Sequence, residues 1–239
     1  MAKLALVTGA SRGIGKAIAE KLAKEGCDLI LCCQNNIEAL ESFAKELHNN
    51  YQVSVRCHKG SVADPAFVDT LFAEVTALDY LINNAGISQV KLLTDTTYED
   101  WKQLMGVNVD GVFLCSKKAA EIMLRSHSGH ILNISSMWGQ SGASMEVAYS
   151  ASKGAVDSFT KALAKELAPS GISVNALSLG FMDTEMNNHL SEEEREAFFA
   201  EIPLGRPGEP AEAAQMVWQI LSSPSYLTGQ IIRMDGGLL

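Results

Sequence analysis

Short apolar runs alternate along the chain with longer stretches whose apolar positions recur at helical spacing. A brief apolar run bounded by turn residues reads as a buried strand, and the three-to-four-residue period reads as a helix with one buried face. Strands are predicted over 3–8, 28–33, 53–57, 78–82, 130–135, 172–178 and 230–234. Helices are predicted over 14–25, 36–48, 65–76, 98–124, 149–168 and 210–222. Gly26 and Gly171 follow helical runs, and Asp64-Pro65 places an N-cap before a proline at the first helical position. The interval 180–209 breaks the rhythm. Its Ser191-Glu-Glu-Glu marks a helix start ahead of a proline-containing loop, so it reads as an insertion over the sheet's ligand-binding edge. Strand–helix alternation of this kind predicts one α/β, doubly wound (Rossmann-type) domain over 1–239, a parallel seven-stranded sheet with helices on both faces.

Composition narrows the picture. A chain of 239 residues with 47% hydrophobic content can bury one good core, which fits a single domain. A net charge of -9 argues against nucleic acid and anionic membrane surfaces as partners. No apolar run reaches the length of a membrane span, and the N-terminus runs straight into a strand without a signal-peptide layout. Five cysteines lie mostly in apolar stretches with no C-x-x-C spacing, which suits a reducing cytoplasm. The five histidines show no ligand spacing, and no metal is assigned.

Candidate chemistry begins after the first strand, at Gly9-Ala-Ser11-Arg12-Gly13-Ile14-Gly15. Glycines there let the backbone turn tightly and approach a pyrophosphate, whose charge a following helix N-terminus favours. The second strand ends Cys33-Gln34-Asn35 without the carboxylate that would bind the ribose 2′-OH of NAD(H). Lack of that acid, with Arg12 available to pair a 2′-phosphate, favours NADP(H) over NAD(H). At the end of the fourth strand stand Asn83-Asn84-Ala85-Gly86, where the asparagines can satisfy backbone groups and the small residues let a ligand lie close. Asn108 interrupts an apolar helical face, as a kink or a buried satisfied amide would.

Tyr149 and Lys153 are four apart at the start of a helical pattern, so both side chains share one face. A free phenol ionises near pH ~10, and a neighbouring ammonium would lower that value. Ser136 closes the strand H-I-L-N-I-S-S, so its hydroxyl would sit at the strand's C-terminal end. Hydroxyl, phenol and ammonium together could polarise a carbonyl and deliver a proton to its oxygen.

T-G-A-S-R-G-I-G, N-N-A-G, a strand-end serine, Y-x-x-x-K and a terminal M-D-G-G together resemble the short-chain dehydrogenase/reductase family along practically the whole chain. Within it the N-V-D-G, G-F-M-D-T-E-M and I-P-L-G-R stretches look most like the 3-oxoacyl-acyl carrier protein reductase group. The resemblance implies that Gly9, Ser11, Arg12, Gly13, Ile14 and Gly15 line the cofactor's phosphates, with Asn84, Ala85 and Gly86 near its ribose. It implies Tyr149 as proton donor, Ser136 as holder of the substrate oxygen, and Lys153 as the group that lowers the phenol and binds ribose. Asn108 would hold a water of a proton relay, and Gly180 and Thr184 would lie by the nicotinamide. Further implications are an acyl-thioester or small-molecule substrate, with acyl carrier protein as a partner, and a homotetramer.

Several positions depart from the family pattern. Ser178-Leu179-Gly180 stands where proline-glycine is usual, Ser61 replaces an adenine-contacting aspartate, and Trp138 would crowd the substrate pocket. His127 and Ser170 occupy two places that often hold carrier-binding arginines beside the entrance. A small free ketone, alcohol or sugar is therefore the second reading for the substrate. A dinucleotide-binding sensor or structural subunit is the reading from outside catalysis.

Overall fold

The computed structural model describes residues 2–187 and 191–239. Seven parallel strands form one sheet in the order β3-β2-β1-β4-β5-β6-β7. They are β1 (Leu4–Thr8), β2 (Asp28–Cys33), β3 (Val55–Lys59), β4 (Tyr80–Asn83), β5 (Gly129–Ser136), β6 (Ile172–Leu179) and β7 (Ile231–Met234). The helices are α1 (Gly13–Lys24), α2 (Ile37–Tyr51), α3 (Pro65–Phe72), α4 (Tyr98–Met105), α5 (Gly111–Ser126), α6 (Trp138–Ser141), α7 (Val147–Leu167), α8 (Glu192–Glu201) and α9 (Pro210–Leu221). The expected doubly wound domain is what the chain forms.

Alternation along each strand sends successive side chains to opposite faces, and here both faces are covered. Ala5, Val7, Leu29, Leu31, Ile82, Leu132 and Leu177 pack in one core with the buried residues of α1, α2 and α9. Leu6, Ile30, Leu81, Ile131 and Val174 face the other way, into a second core with α3, α5 and α7. All five cysteines are free, and four of them are buried. Desolvation raises the thiols of Cys27, Cys32, Cys33, Cys57 and Cys115, which makes them inert core groups.

Several boundaries move. The third and fourth strands lie two residues later than the hydrophobicity of 53–57 and 78–82 suggests, at Val55–Lys59 and Tyr80–Asn83. Val53 and Leu78 are buried, but in the turns that lead into the strands. The helix expected over 65–76 starts at the predicted place, with Asp64 accepting from Ala66 N at 3.0 Å and proline in the first turn, but ends at Phe72. The stretch 98–124 is not one helix. A π-helical segment, Gly106–Asp110, separates α4 from α5, and it contains Asn108. A π-bulge widens one turn and rotates the helix beyond it, which lets an inward polar group coexist with an apolar face. The one-turn α6 has too little apolar repeat to be visible in the sequence.

Among the described residues no helix is long and apolar enough to cross a membrane. Nor, among them, does any group of three or more His, Cys, Asp or Glu stand where a metal could be held.

Candidate active site

All seven strands point the same way, so β1, β4, β5 and β6 end on one edge. The order reverses between β1 and β4, and such a switch point opens a ligand crevice at the C-terminal ends of the strands. The glycine-rich turn sits there. Gly9 and Gly13 have φ of 67° and 53°, a left-handed conformation that a side chain rarely adopts. A Cβ at Gly15 would stand 2.2 Å from the Gly9 carbonyl oxygen and 2.4 Å from Asn84 Nδ2, so only glycine fits. Asn84 Nδ2 donates to the carbonyls of Thr8 (2.9 Å) and Gly9 (3.1 Å), and the N–H groups of Asn84 and Ala85 donate to Thr8 Oγ1 (both 3.0 Å). The asparagine thus ties the turn to the end of β4, which is the structural role its position suggests. Asn83 turns inward instead, donating to Ser116 Oγ and Asn133 Oδ1.

Arg12 is the N-cap of α1 and gives no side-chain cap, and the first turn carries no acidic residue. The positive end of this helix dipole is therefore uncompensated by the chain itself, which suits a phosphate. Ser11 and Ile14 are half-buried beside it. Beyond β2, Gln34 and Asn35 are exposed and Asn36 caps α2 by accepting from Ala39 N, so no carboxylate faces the crevice there. Arg12 itself is not the unpaired cation that its sequence position suggests. Its guanidinium pairs at 2.7 Å with Glu185, across the crevice, and both side chains remain largely exposed. Exposed pairs of this kind contribute about 0–1 kcal/mol, little enough for a competing anion to displace one partner.

Ser136 ends β5, while Tyr149 and Lys153 lie on the first turns of α7. Ser136 Oγ accepts from Trp138 N at 3.2 Å, and the serine stands near enough to the Tyr149 hydroxyl to act on its ionisation. Lys153 is buried and donates to the Ile134 carbonyl at 2.8 Å, with its Nζ 5.6 Å from the centre of the Tyr149 ring. Asn108 is buried and fully satisfied. Its Oδ1 accepts from Ile87 N, and its Nδ2 donates to Ile87 O (2.9 Å) and Ser152 Oγ (3.1 Å). Both sequence alternatives for Asn108, kink and satisfied amide, are therefore present together. A Cβ at Gly86 would lie 3.4 Å from Asn108 Oδ1 and 3.7 Å from Lys153 Nζ. Glycine there leaves the space in front of both groups open.

The expected lowering of the Tyr149 pKa by Lys153 is not found, and the shift runs the other way. Although the residue is half-exposed by surface, it is set deep in the protein, and desolvation pushes the phenol up to about 12 while Ser136 opposes the rise. Desolvation brings Lys153 down to about 8, opposed by the carboxylate of Asp157. Asp157 is a buried acid one turn further along α7. Burial raises its pKa, and Ser135 Oγ, donating to Asp157 Oδ1 at 2.6 Å, holds the rise back together with Lys161 and Lys153. Asp157 is visible in the sequence as the fourth residue after Lys153, but nothing there shows that it faces Ser135.

On the far wall, Gly180 N donates to Met234 O at 2.9 Å, and a Cβ on Gly180 would meet Asp235 Cα at 2.6 Å. Leu179 occupies the usual proline position because β6 stays paired with β7 to its last residue and Leu179 is buried in the core. Thr184 reaches back to the glycine turn, its Cγ2 3.7 Å from where a Gly13 Cβ would stand. Ser61 Oγ accepts from Ala63 N, a local turn contact. His127 and Ser170 precede β5 and β6, at the opposite end of the sheet from Ser136. The length of β5 puts them roughly 20 Å from the crevice, so within one chain they do not flank the entrance. The segment 188–190 of the expected insertion lies outside the described residues.

A doubly wound parallel sheet with a glycine turn on one side of its crevice and Ser136, Tyr149 and Lys153 on the other has the layout of a dinucleotide-binding domain. Residues 3–195 match the family model described as short chain dehydrogenase, and the chain belongs to that family. Over 99% of this chain and 97% of the relative, it is 39% identical to 3-oxoacyl-[acyl-carrier-protein] reductase FabG of Aquifex aeolicus. It is also 39% identical to the uncharacterized oxidoreductase YmfI of Bacillus subtilis, over 99% of each chain. Among solved structures, acetoin dehydrogenase YohF of Salmonella typhimurium superposes with a TM-score of 0.90 at 31% identity, covering 100% of this chain and 97% of that one. The chain is an oxidoreductase of the short-chain dehydrogenase type.

Proposed function

We propose that this protein reduces a 3-oxoacyl thioester to its 3-hydroxyacyl form with NADPH, on acyl carrier protein or a comparable carrier. The observation that supports it most is the convergence of Ser136, Tyr149 and Lys153 at the crevice beside the glycine turn. When bound, the reduced nicotinamide supplies a hydride to the carbonyl carbon. Gly9, Ser11, Arg12, Gly13, Ile14 and Gly15 would hold its phosphates, Asn84, Ala85 and Gly86 would line its ribose, and Gly180 and Thr184 would contact its carboxamide end. Ser136 donates to the substrate oxygen, and the Tyr149 hydroxyl gives that oxygen its proton. Lys153 steadies the phenolate that remains and binds ribose, and Asn108 orders the water through which Tyr149 is reprotonated. A phenol held near 12 is protonated throughout the neutral range, which suits an acid in the reducing direction.

NADPH is the preferred donor in this reading. Arg12 would exchange its exposed pairing with Glu185 for a 2′-phosphate, and no carboxylate beyond β2 would repel that phosphate. The test is the loss of nicotinamide absorbance with NADPH or NADH and acetoacetyl thioesters of coenzyme A and of acyl carrier protein, beside free ketones. The expected result is fastest turnover with NADPH on a thioester, and a rise of roughly 10-fold in the NADPH KM, but not the NADH KM, in Arg12→Ala. Turnover confined to free ketones would sink the thioester reading. That second reading is favoured by the net charge of -9, which would repel an acidic carrier.

Asp157 carries a pH prediction. Lys153 must be cationic to act, and its pKa near 8 means that kcat/KM for the cofactor, which reports the free enzyme, falls as pH rises through about 8. Asp157→Asn keeps an acceptor for Ser135 and removes the charge that raises Lys153. The alkaline fall should then begin roughly one pH unit lower. An unchanged profile would show that Asp157 does not act on Lys153.

A further inference from the structure

Aromatic rings from three separate segments cluster beyond the ends of β5 and β6, close in the chain to Ser136 and Gly180. Trp138 begins α6 two residues after Ser136, and its N–H donates to Ser136 Oγ, so its ring departs from beside the group that would hold the substrate oxygen. Phe198, on α8, meets the Trp138 ring edge-on with centroids 6.4 Å apart. Phe181, directly after the close approach at Gly180, lies 4.7 Å from Phe198 and 5.5 Å from Phe199. The outer end is braced. Arg195 stands 5.9 Å from the Phe199 ring and pairs with Asp183 at 2.8 Å. Helix α8 has no buried residue and opens on three glutamates, so these rings are its apolar attachment to the rest of the domain.

We propose that Trp138, Phe181 and Phe198 form a wall that closes the substrate pocket behind the reacting carbonyl. The pocket therefore takes compact 3-oxoacyl groups of acetoacetyl size and rejects long straight acyl chains. This rests on the reductase reading above and sets the substrate class within it. A hydrocarbon chain threaded between two rings needs van der Waals contact of about 3.5–4 Å on each side, hence a ring separation of roughly 7 Å or more. Both measured separations, 6.4 and 4.7 Å, are smaller. A longer chain would have to part the rings and lift α8, so its added methylenes would gain no buried apolar contact to offset the disruption. An acetoacetyl group carries a single methyl beyond the reacting carbonyl and needs no passage between the rings.

The experiment measures kcat/KM on coenzyme A thioesters of 3-oxobutanoate, 3-oxohexanoate and 3-oxodecanoate, in wild type, Trp138→Ala and Phe198→Ala. The ten-carbon to four-carbon ratio is expected to be below one tenth in wild type and to rise at least tenfold in each variant. Phe198 lies on a surface helix, so Phe198→Ala keeps the test open should Trp138→Ala fail to fold. A wild-type ratio near one, or a low ratio that neither variant raises, overturns the wall. If only free ketones are reduced, the thioester reading fails, and the same ratio is read on methyl ketones of increasing length, where a flat response overturns the wall. If wild type reduces neither class, the reductase reading falls and the wall falls with it.

Discussion

Tyr149→Phe is expected to lower kcat by roughly 10³-fold while the affinity for NADPH stays within about twofold. Phenylalanine keeps the ring that packs by Lys153 and deletes only the hydroxyl, the proposed proton donor, which lies near Ser136. Lys153 keeps its bond to the Ile134 carbonyl, so the lysine does not depend on the phenol for its place. Binding should therefore survive. Steady-state turnover with a fluorescence titration of NADPH separates the two effects. A variant that still turns over near the wild-type rate would mean that another group protonates the product, and the assignment of Tyr149 would be wrong.

Gly15→Ala is the second large effect. Its new methyl would lie 2.2 Å from the Gly9 carbonyl oxygen, and backbone cannot rotate away as a side chain can. Either the turn opens or Asn84 releases the Thr8 and Gly9 carbonyls, and both move the surface expected to hold the pyrophosphate. Overpacking of this kind costs about 1–3 kcal/mol, which for a domain of this size is a fall in Tm of roughly 2–10 °C. The Kd for NADPH should rise at least about 10-fold in the same titration, since the phosphate contacts depend on the turn's backbone. Gly26→Ala is the control. Gly26, unlike Gly15, has a left-handed φ, 79°, but nothing lies within 4 Å of its Cβ position. It should lose some stability to backbone strain and leave cofactor affinity alone. Equal Kd values in the two variants would show that the glycine turn does not hold the cofactor.

Much of the site is legible in the sequence because its residues are close together in the chain or fixed to strand ends. Gly9 to Gly15 form one turn, and Tyr149 and Lys153 share a helix face by spacing alone. Ser136 can be placed because the parity and end of an apolar run locate it on the sheet's edge. The break within 98–124 is hidden because a π segment preserves apolar periodicity on both sides, so only hydrogen bonding reveals it at Gly106–Asp110. The pairing of Arg12 with Glu185 joins residues 173 apart, and no local pattern announces it. Phe181, Phe198 and Phe199 look like ordinary apolar positions in an irregular interval until α8 folds back on the loop after β6 and brings their rings together.

By itself the sequence determined the α/β order, the two-faced parallel sheet and the place of the glycine turn. Those follow from side-chain periodicity and from the conformations that glycine alone adopts, which are properties of neighbours in the chain. Tertiary structure alone decided the state of the groups. It buried Tyr149 and Lys153 so that one proton is held to about 12 and the other released near 8, and it set Asp157 against Ser135. It also gave Arg12 a partner and closed one wall with aromatic rings. Desolvation and long-range pairing depend on everything packed around a group, and that environment exists only once distant segments have met.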